Sequence, residues 1–403
     1  MPVCVTRRAC HDGTQNLSRT GRHWSSVAAL SIIAFLVQGF TLFSLGLVMP
    51  AMARDFGGQA GWAGTALLTA MSLASLPVGW ALTRLDARWI VAAGVLLSAA
   101  GWAAAGVTHY RLALLCAMAI AGVGIAAATI VPGIAIITRD MAARRGTALA
   151  IFLGTTIIAG AAVPPVSAWA IDLWGWRGAM ARGAGLMLAL GLPLVLVVTR
   201  GPAGVAEGSA RPSPLALARR DFLLVAGAMT LLQLAINGIL FASVDAFMHQ
   251  GLGQARAVAA YSLANLVGLP ALLMAGLVTD RVGARRAMVA ISLMLAAGSA
   301  ALASAGPMGL AGLAAFVLLW GVASALPGQA GSMLLADVVG QAAFPRMLGI
   351  VTALIGLVGA LAPMLTDALR GADGGYHIAM LVYAALAGLA APLIAMVRPA
   401  RSD

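Results

Sequence analysis

From Trp24 onward the chain alternates between long apolar runs and short polar breaks, and the runs number twelve. Their limits are 24–48, 60–83, 89–108, 111–138, 146–172 and 178–199, then 222–248, 256–279, 287–305, 308–336, 347–369 and 375–397. Each is about 20 residues or more, enough to carry a helix across the hydrocarbon core of a bilayer. Breaks such as RDFGGQ (54–59), RLDAR (84–88) and THYR (108–111) are turn-like, so neighbouring runs read as helical hairpins. Strands of a membrane barrel would alternate polar and apolar residues, a pattern the runs do not show. The pattern predicts an all-α membrane protein with twelve transmembrane helices.

Composition agrees with the pattern. Of 403 residues, 61% are hydrophobic and only 9% are charged. A soluble domain usually carries about 25% charged residues, so this chain could not clothe its surface in water. Polar segments divide the chain into a tail at 1–23, a six-run unit at 24–199, a linker at 200–221, a second six-run unit at 222–397 and a tail at 398–403. The linker, RGPAGVAEGSARPSPLALARRD, is rich in Pro, Gly, Ser and Arg. The first tail has no apolar core of the kind a signal peptide needs.

The net charge of +12 comes from arginine alone, since lysine is absent. The arginines lie scattered between apolar runs and form no single basic face, which argues against nucleic acid as a partner. With the N-terminus inside, nineteen of the 25 fall on the cytoplasmic side and six on the other. The positive-inside rule then places both termini in the cytoplasm, in the inner membrane of the cell.

The two units resemble each other. GWALTRLDARW at 79–89 and GLVTDRVGARR at 276–286 align without gaps, matching Gly79 with Gly276, Arg84 with Arg281, Ala87 with Ala284 and Arg88 with Arg285. VPG at 131–133 faces LPG at 326–328, Asp140 faces Asp337, and Gly160 with Pro164 faces Gly359 with Pro363. Landmarks recurring at nearly one offset indicate a six-helix duplication. Secondary transporters built this way carry their solute path between the halves, near the bilayer midplane.

On these features the chain resembles the major facilitator superfamily over all twelve runs. The superfamily's loop signature is best kept as Gly276, Asp280, Arg281, Gly283, Arg285 and Arg286; in the first half Thr83 stands at its Asp and Asp86 at its second Gly. Within the superfamily the nearest likeness is to monocarboxylate and oxalate-type organic-anion transporters. It lies in MAARRGTALAIFLGTTIIAGAAVPPVSAWAIDLWGWRGA (141–179) and GLVGALAPMLTDALRGADGGY (356–376). Unlike many monocarboxylate carriers, the chain has no Lys in the first run and no charge in VAAYSLANLVGLPALLMAGLV of the eighth.

The resemblance implies a secondary active carrier that moves a small organic anion such as a monocarboxylate by alternating access, as a monomer. A drug-like or amphipathic solute is the alternative substrate, and a non-transporting sensor or assembly protein the alternative class. Runs one, four, seven and ten would border the cavity. Gln38, Thr41, Gln233, Asn237 and Gln329 are then its polar lining, with Asn265 of run eight added. Gln233 and Asn237 share one helix face at i,i+4. Gating falls to Gly276, Asp280, Arg281, Gly283 and Arg285, with Arg84 and Arg88 in the first half. Pro132–Gly133 and Pro327–Gly328 would be hinges, because proline removes a helix donor and kinks the chain. No acid sits deep in a run; Asp245 and Asp367, near the outer ends, are the candidates for a coupled proton and are expected at the surface. Motifs for zinc proteases, serine hydrolases and phosphate loops are missing, and the three cysteines lack metal-ligand spacing. The expectation is therefore a non-enzyme without cofactor or metal.

Overall fold

The computed structural model describes residues 23–57, 60–141, 144–203, 220–340, 344–371 and 375–398. Helix α1 spans His23–Asp55, α2 Gly61–Arg84, α3 Ala87–Val107 and α4 Arg111–Asp140. One helical run, Gly146–Val195, holds both α5 (146–174) and α6 (176–195), which part at Gly175 (φ 66°, ψ 168°). Helix α7 is Arg220–His249, α8 Gln254–Val282 and α9 Ala284–Ala303. The second half ends with the bent pair of α10, Met308–Ser324 and Pro327–Val339, then α11 (Met347–Ala368) and α12 (His377–Ala395). Counting the run broken at Gly175 as two crossings and the bent pair as one, the described residues make the twelve rods expected of the sequence.

The ends of α2, α4 and α8 and the starts of α3, α5 and α9 gather at one end of the bundle, here termed the arginine-rich end. The C-terminal ends of α1, α3, α5, α7, α9 and α11 form the far end. Each half has its own buried core. In the first, Trp102, Phe152, Leu67 and Ile33 are fully enclosed; in the second, Trp320, Phe316, Phe247 and Tyr383 are. Phe241 and Ala360 of the second half pack into the first core, and Ala168 of the first into the second. Elsewhere the periphery is apolar: Leu310 is 81% exposed, Trp89 71% and Leu76 66%. Such a surface suits lipid, where small residues and close backbones hold helices together.

The halves meet along three seams: α1 on α7, α2 on α11 and α5 on α8. A two-fold exchange of halves leaves the first seam in place and swaps the other two. That is the geometry of a duplicated bundle, and it follows from the repeat read in the sequence.

Two departures are local. The proline breaks fall just upstream of the expected hinges, at Thr129 (φ −119°, ψ −110°) in α4 and after Ser324 in α10. A proline ring clashes with the carbonyl four residues earlier, so Pro132 and Pro327 disturb the turn before them. The other departure was not anticipated: α1 contains a π-turn at Gly39–Phe43, and α6 another at Met187–Gly191. Such turns insert a residue into the helix and often mark functional positions.

Candidate functional site

The polar residues expected to line a central passage lie at mid-depth but differ in how they are used. Gln38 immediately precedes the π-turn of α1; it is 6% exposed and its Nε2 has no hydrogen-bond partner. Thr41, inside that turn, donates to the Val37 carbonyl of its own helix. Gln233 and Asn237 do share a face: Gln233 Nε2 donates to Asn237 Oδ1 at 2.8 Å, and Asn237 Nδ2 donates to the Gly359 carbonyl of α11 at 3.0 Å. That chain satisfies the amides and binds α7 to α11. Asn265 donates to the Tyr261 carbonyl of α8 at 3.0 Å, with its Oδ1 against Gly160 on the α5 seam. Gln329 is half-buried in the lower part of the bent α10. These amides are uncharged hydrogen-bonding groups, and Gln38 keeps a buried donor without a partner among the described residues.

The residues expected to gate divide between described and undescribed. The surroundings of Gly276 and the Asp280 side chain lie outside the described residues. Arg281 is exposed, and Arg285 donates to the Ala395 carbonyl at the end of α12, within its own half. Gly283 has φ 88° and ψ 141°, a backbone that excludes a side chain, and closes the α8–α9 turn. In the first half Arg84 stacks on Trp80 at 4.4 Å, and Asp86 caps α3 by accepting from the Arg88 N–H at 3.0 Å. The start of the linker packs on the same turn, Ala203 N–H donating to Leu82 O at 2.8 Å and Ala87 N–H to Gly201 O at 3.2 Å. Next to it Arg139 makes bidentate contact with Asp140 and reaches Gly201 O and Thr199 Oγ1, both at 2.8 Å. These bonds at the arginine-rich end stay inside one half.

The far end is different, and here the expectation for Asp245 needs correction. It is not a surface acid: the residue is 6% exposed and its Oδ2 accepts from Arg370 Nη2 at 3.3 Å and from the Tyr376 hydroxyl. The carboxylate sits on the inward face of α7, under the α11–α12 turn. Arg370 also donates to His249 Nε2 at 3.1 Å and lies 4.7 Å over the Tyr376 ring. Burial first, and then the Asp245 charge, push the Tyr376 phenol well above its ordinary range, so it remains a donor.

Asp367, the other acid, reaches across the halves. Its Oδ2 accepts from the backbone N–H of Ala60, the residue before α2, at 3.0 Å, and from that of Gly61, the first residue of α2. Helix α2 has no side-chain cap of its own at that end. The approach is close: a Cβ on Gly61 would lie 2.3 Å from the Pro363 carbonyl oxygen, and one on Gly46 of α1 only 2.8 Å from that of Phe241 on α7. Among Met49, Ala60, Phe241, Pro363 and Tyr376 only about 20 Å³ of free space remains, room for about one water. Along the α1–α7 and α2–α11 contacts the far end is closed.

Asp172 and His249 fall near this end in the sequence topology, but their contacts, and the part played by Tyr376, were not legible there. Tyr376 and His249 complete the Asp245 cluster, and Asp172 of α5 accepts from Gln254 Nε2 at the start of α8 at 3.0 Å. The GWR segment also gains a role: Trp176 and Arg177 donate to Asp55 at 3.1 and 3.3 Å, fixing α6 to the end of α1.

The model of the Major Facilitator Superfamily matches residues 31–327. The chain belongs to this superfamily. Among curated proteins, monocarboxylate transporter 11 of Homo sapiens is 32% identical over 187 residues, covering 43% of this chain and 39% of that protein. The Mus musculus counterpart is 30% identical over 164 residues, covering 39% and 36%. The chain thus spans less than half the length of the curated relatives it matches. Among solved structures, a nucleoside transporter superposes with a TM-score of 0.75 at 16% identity, over 94% of this chain and all of that one. A D-xylose–proton symporter gives 0.71 at 17%, over 94% and 98%, and an inward-facing bacterial homolog of the human lysosomal transporter Spinster gives 0.72 at 15%, over 94% and 99%. At these identities the likeness is one of fold. By its family the chain is a multi-pass membrane protein of a transporter superfamily and not an enzyme.

Proposed function

We propose that this transporter moves small monocarboxylate-type organic anions by alternating access, with its arginine-rich end and both termini in the cytoplasm. The observation that carries the mechanism is the asymmetry of the two ends. The halves are sealed at the far end by Gly46, Gly61 and Asp367, while the described bonds of the arginine turns stay within each half. A solute path would then open toward the cytoplasm, with Pro132, Gly133, Pro327 and Gly328 beside the breaks that let α4 and α10 bend. The substrate class is supported by the likeness to monocarboxylate transporter 11. A proton taken up with each anion keeps the transported charge at zero in a passage lined by amides; Asp245 and Asp367 are the acids assigned to it.

A second reading, an uncharged or amphipathic solute, is favoured by the same amides. Gln38, Gln233, Asn237 and Gln329 offer hydrogen bonds but no fixed cation. Uptake into proteoliposomes holding only the purified protein separates the two. Under an inwardly directed proton gradient, lactate- or pyruvate-like acids should accumulate several-fold over empty vesicles. Accumulation of nucleosides or neutral amphiphiles instead, indifferent to the gradient, would reject the anion.

A further inference from the structure

The far-end contact of Asp367 has a counterpart related by the internal repeat. Asp367 lies at the far end of α11 and meets the N-terminus of α2, across the halves. Asp172 lies at the far end of α5 and meets Gln254, the first residue of α8, again across the halves. Exchanging the halves converts α11 with α2 into α5 with α8, so one device occurs twice. Both carboxylates face the end of a helix whose free N–H groups carry partial positive charge. The two copies are unequal. Asp367 is half-buried and accepts two backbone donors; Asp172 is exposed and accepts one side-chain amide.

We infer that Asp367 and Asp172 form a paired latch, two carboxylates that hold the starts of α2 and α8 of the opposite half only while the far end is closed, Asp367 through two backbone N–H groups and Asp172 through the Gln254 side chain, with Asp367 the dominant member. Opening the far end separates α2 from α11 and α5 from α8, so both contacts must be given up. Their strength sets how often the protein opens that way. Asp367 is therefore a positioning residue that biases the transport cycle without lining the solute path. Its carboxylate works beside Arg370, Asp245 and Tyr376, which stay together on the second half, so the cap can release while that cluster remains intact.

The inference rests on alternating access and not on the choice of solute, so it is tested without solute. Spin labels replace Tyr110 and Leu310 at the far end, or Leu85 and Val282 at the arginine-rich end, in protein whose Cys4, Cys10 and Cys116 are replaced. All four labelled positions are exposed. Pulsed dipolar spectroscopy at neutral pH reads the distance between halves at each end. Asp367→Asn should raise the far-end-open population about tenfold, with a matching shortening at the arginine-rich end. Asp172→Asn should do so about twofold, as befits an exposed contact. Asp367→Glu, which keeps the charge, should restore much of the closed distribution. Two populations in the parent protein that neither Asp variant moves would overturn the latch. A single population at both ends would sink alternating access itself. Should Asp367→Asn broaden both distributions by unfolding, Asp172→Asn and Gln254→Ala decide: no shift from either rejects the pair.

Discussion

The two ends of this bundle use their charged groups in opposite ways, and the end with fewer of them makes the contacts between halves. At the arginine-rich end Arg84, Arg139 and Arg285 stack or bond within their own half, tidying turns and helix ends. At the far end Asp367 and Asp172 cross from one half to the other, and glycines let the backbones touch. Charge alone therefore does not mark a gate. What marks one is a charge whose partner belongs to the other rigid unit, because only that contact changes when the units rock.

The sharpest way to break the comparison is a side chain at the closest approach. A valine at Gly61 would place its Cβ 2.3 Å from the Pro363 oxygen and 2.7 Å from Asp367 Oδ2. The far end could not then close, and backbone atoms cannot yield as a flexible side chain can. Gly61→Val should cut uptake at least about tenfold while leaving helix content and membrane insertion unchanged, a purely conformational block. Gly283→Ala at the other end should do the reverse. Forcing a side chain onto φ 88° costs about 1–3 kcal/mol of stability, with uptake kept within a factor of about two. Uptake assays paired with thermal unfolding read both; similar transport defects at the two ends would erase the distinction.

The sequence carried the large-scale features because they depend on periodicity and repetition. Twelve apolar runs, a six-run duplication and the VPG and LPG breaks needed no contact information. The site was harder to read. Asp245 lies 24 residues beyond Asp221, which correctly put it near the far end. Depth along a helix does not tell which face an acid presents, and α7 turns this one inward, onto Arg370 and Tyr376. Gln233 and Asn237 were rightly paired by i,i+4 spacing, but their attachment to the Gly359 carbonyl depends on the placement of α11. The π-turn at Gly39–Phe43 left no mark on composition, so the register shift that sets Gln38 was invisible.

The buried cluster gives a smaller but cleaner effect. Asp245→Asn leaves Arg370 facing a neutral amide in a pocket where its side chain is only 22% exposed. Breaking a buried ion pair costs about 3–5 kcal/mol, which the partial exposure of Arg370 and its contact with His249 reduce to about 1–3 kcal/mol here. The expected outcome is a fall in Tm of several degrees, partly restored by Arg370→Gln in the same protein. Because this pair lies within one half, the balance between far-end-open and far-end-closed forms should stay as it was. Loss of stability together with a tenfold shift in that balance would make Asp245 part of the gate.

The smallest effect is expected at Arg285. Its guanidinium bonds the Ala395 carbonyl at the C-terminus of α12, where a cation adds about 0.3–1 kcal/mol at an exposed helix end. Both groups move together when the halves rock, so the contact is the same in either form. Arg285→Gln should lower stability slightly and leave uptake within a factor of about two. Asp280→Asn is the informative companion, because a turn that latches the halves would do so when the arginine-rich end closes, the form opposite to this one. If Arg285→Gln proves as damaging as Gly61→Val, the arginine turn must trade its bond to α12 for one across the halves during transport. The contrast between the two ends would then describe one stage of the cycle and not a division of labour.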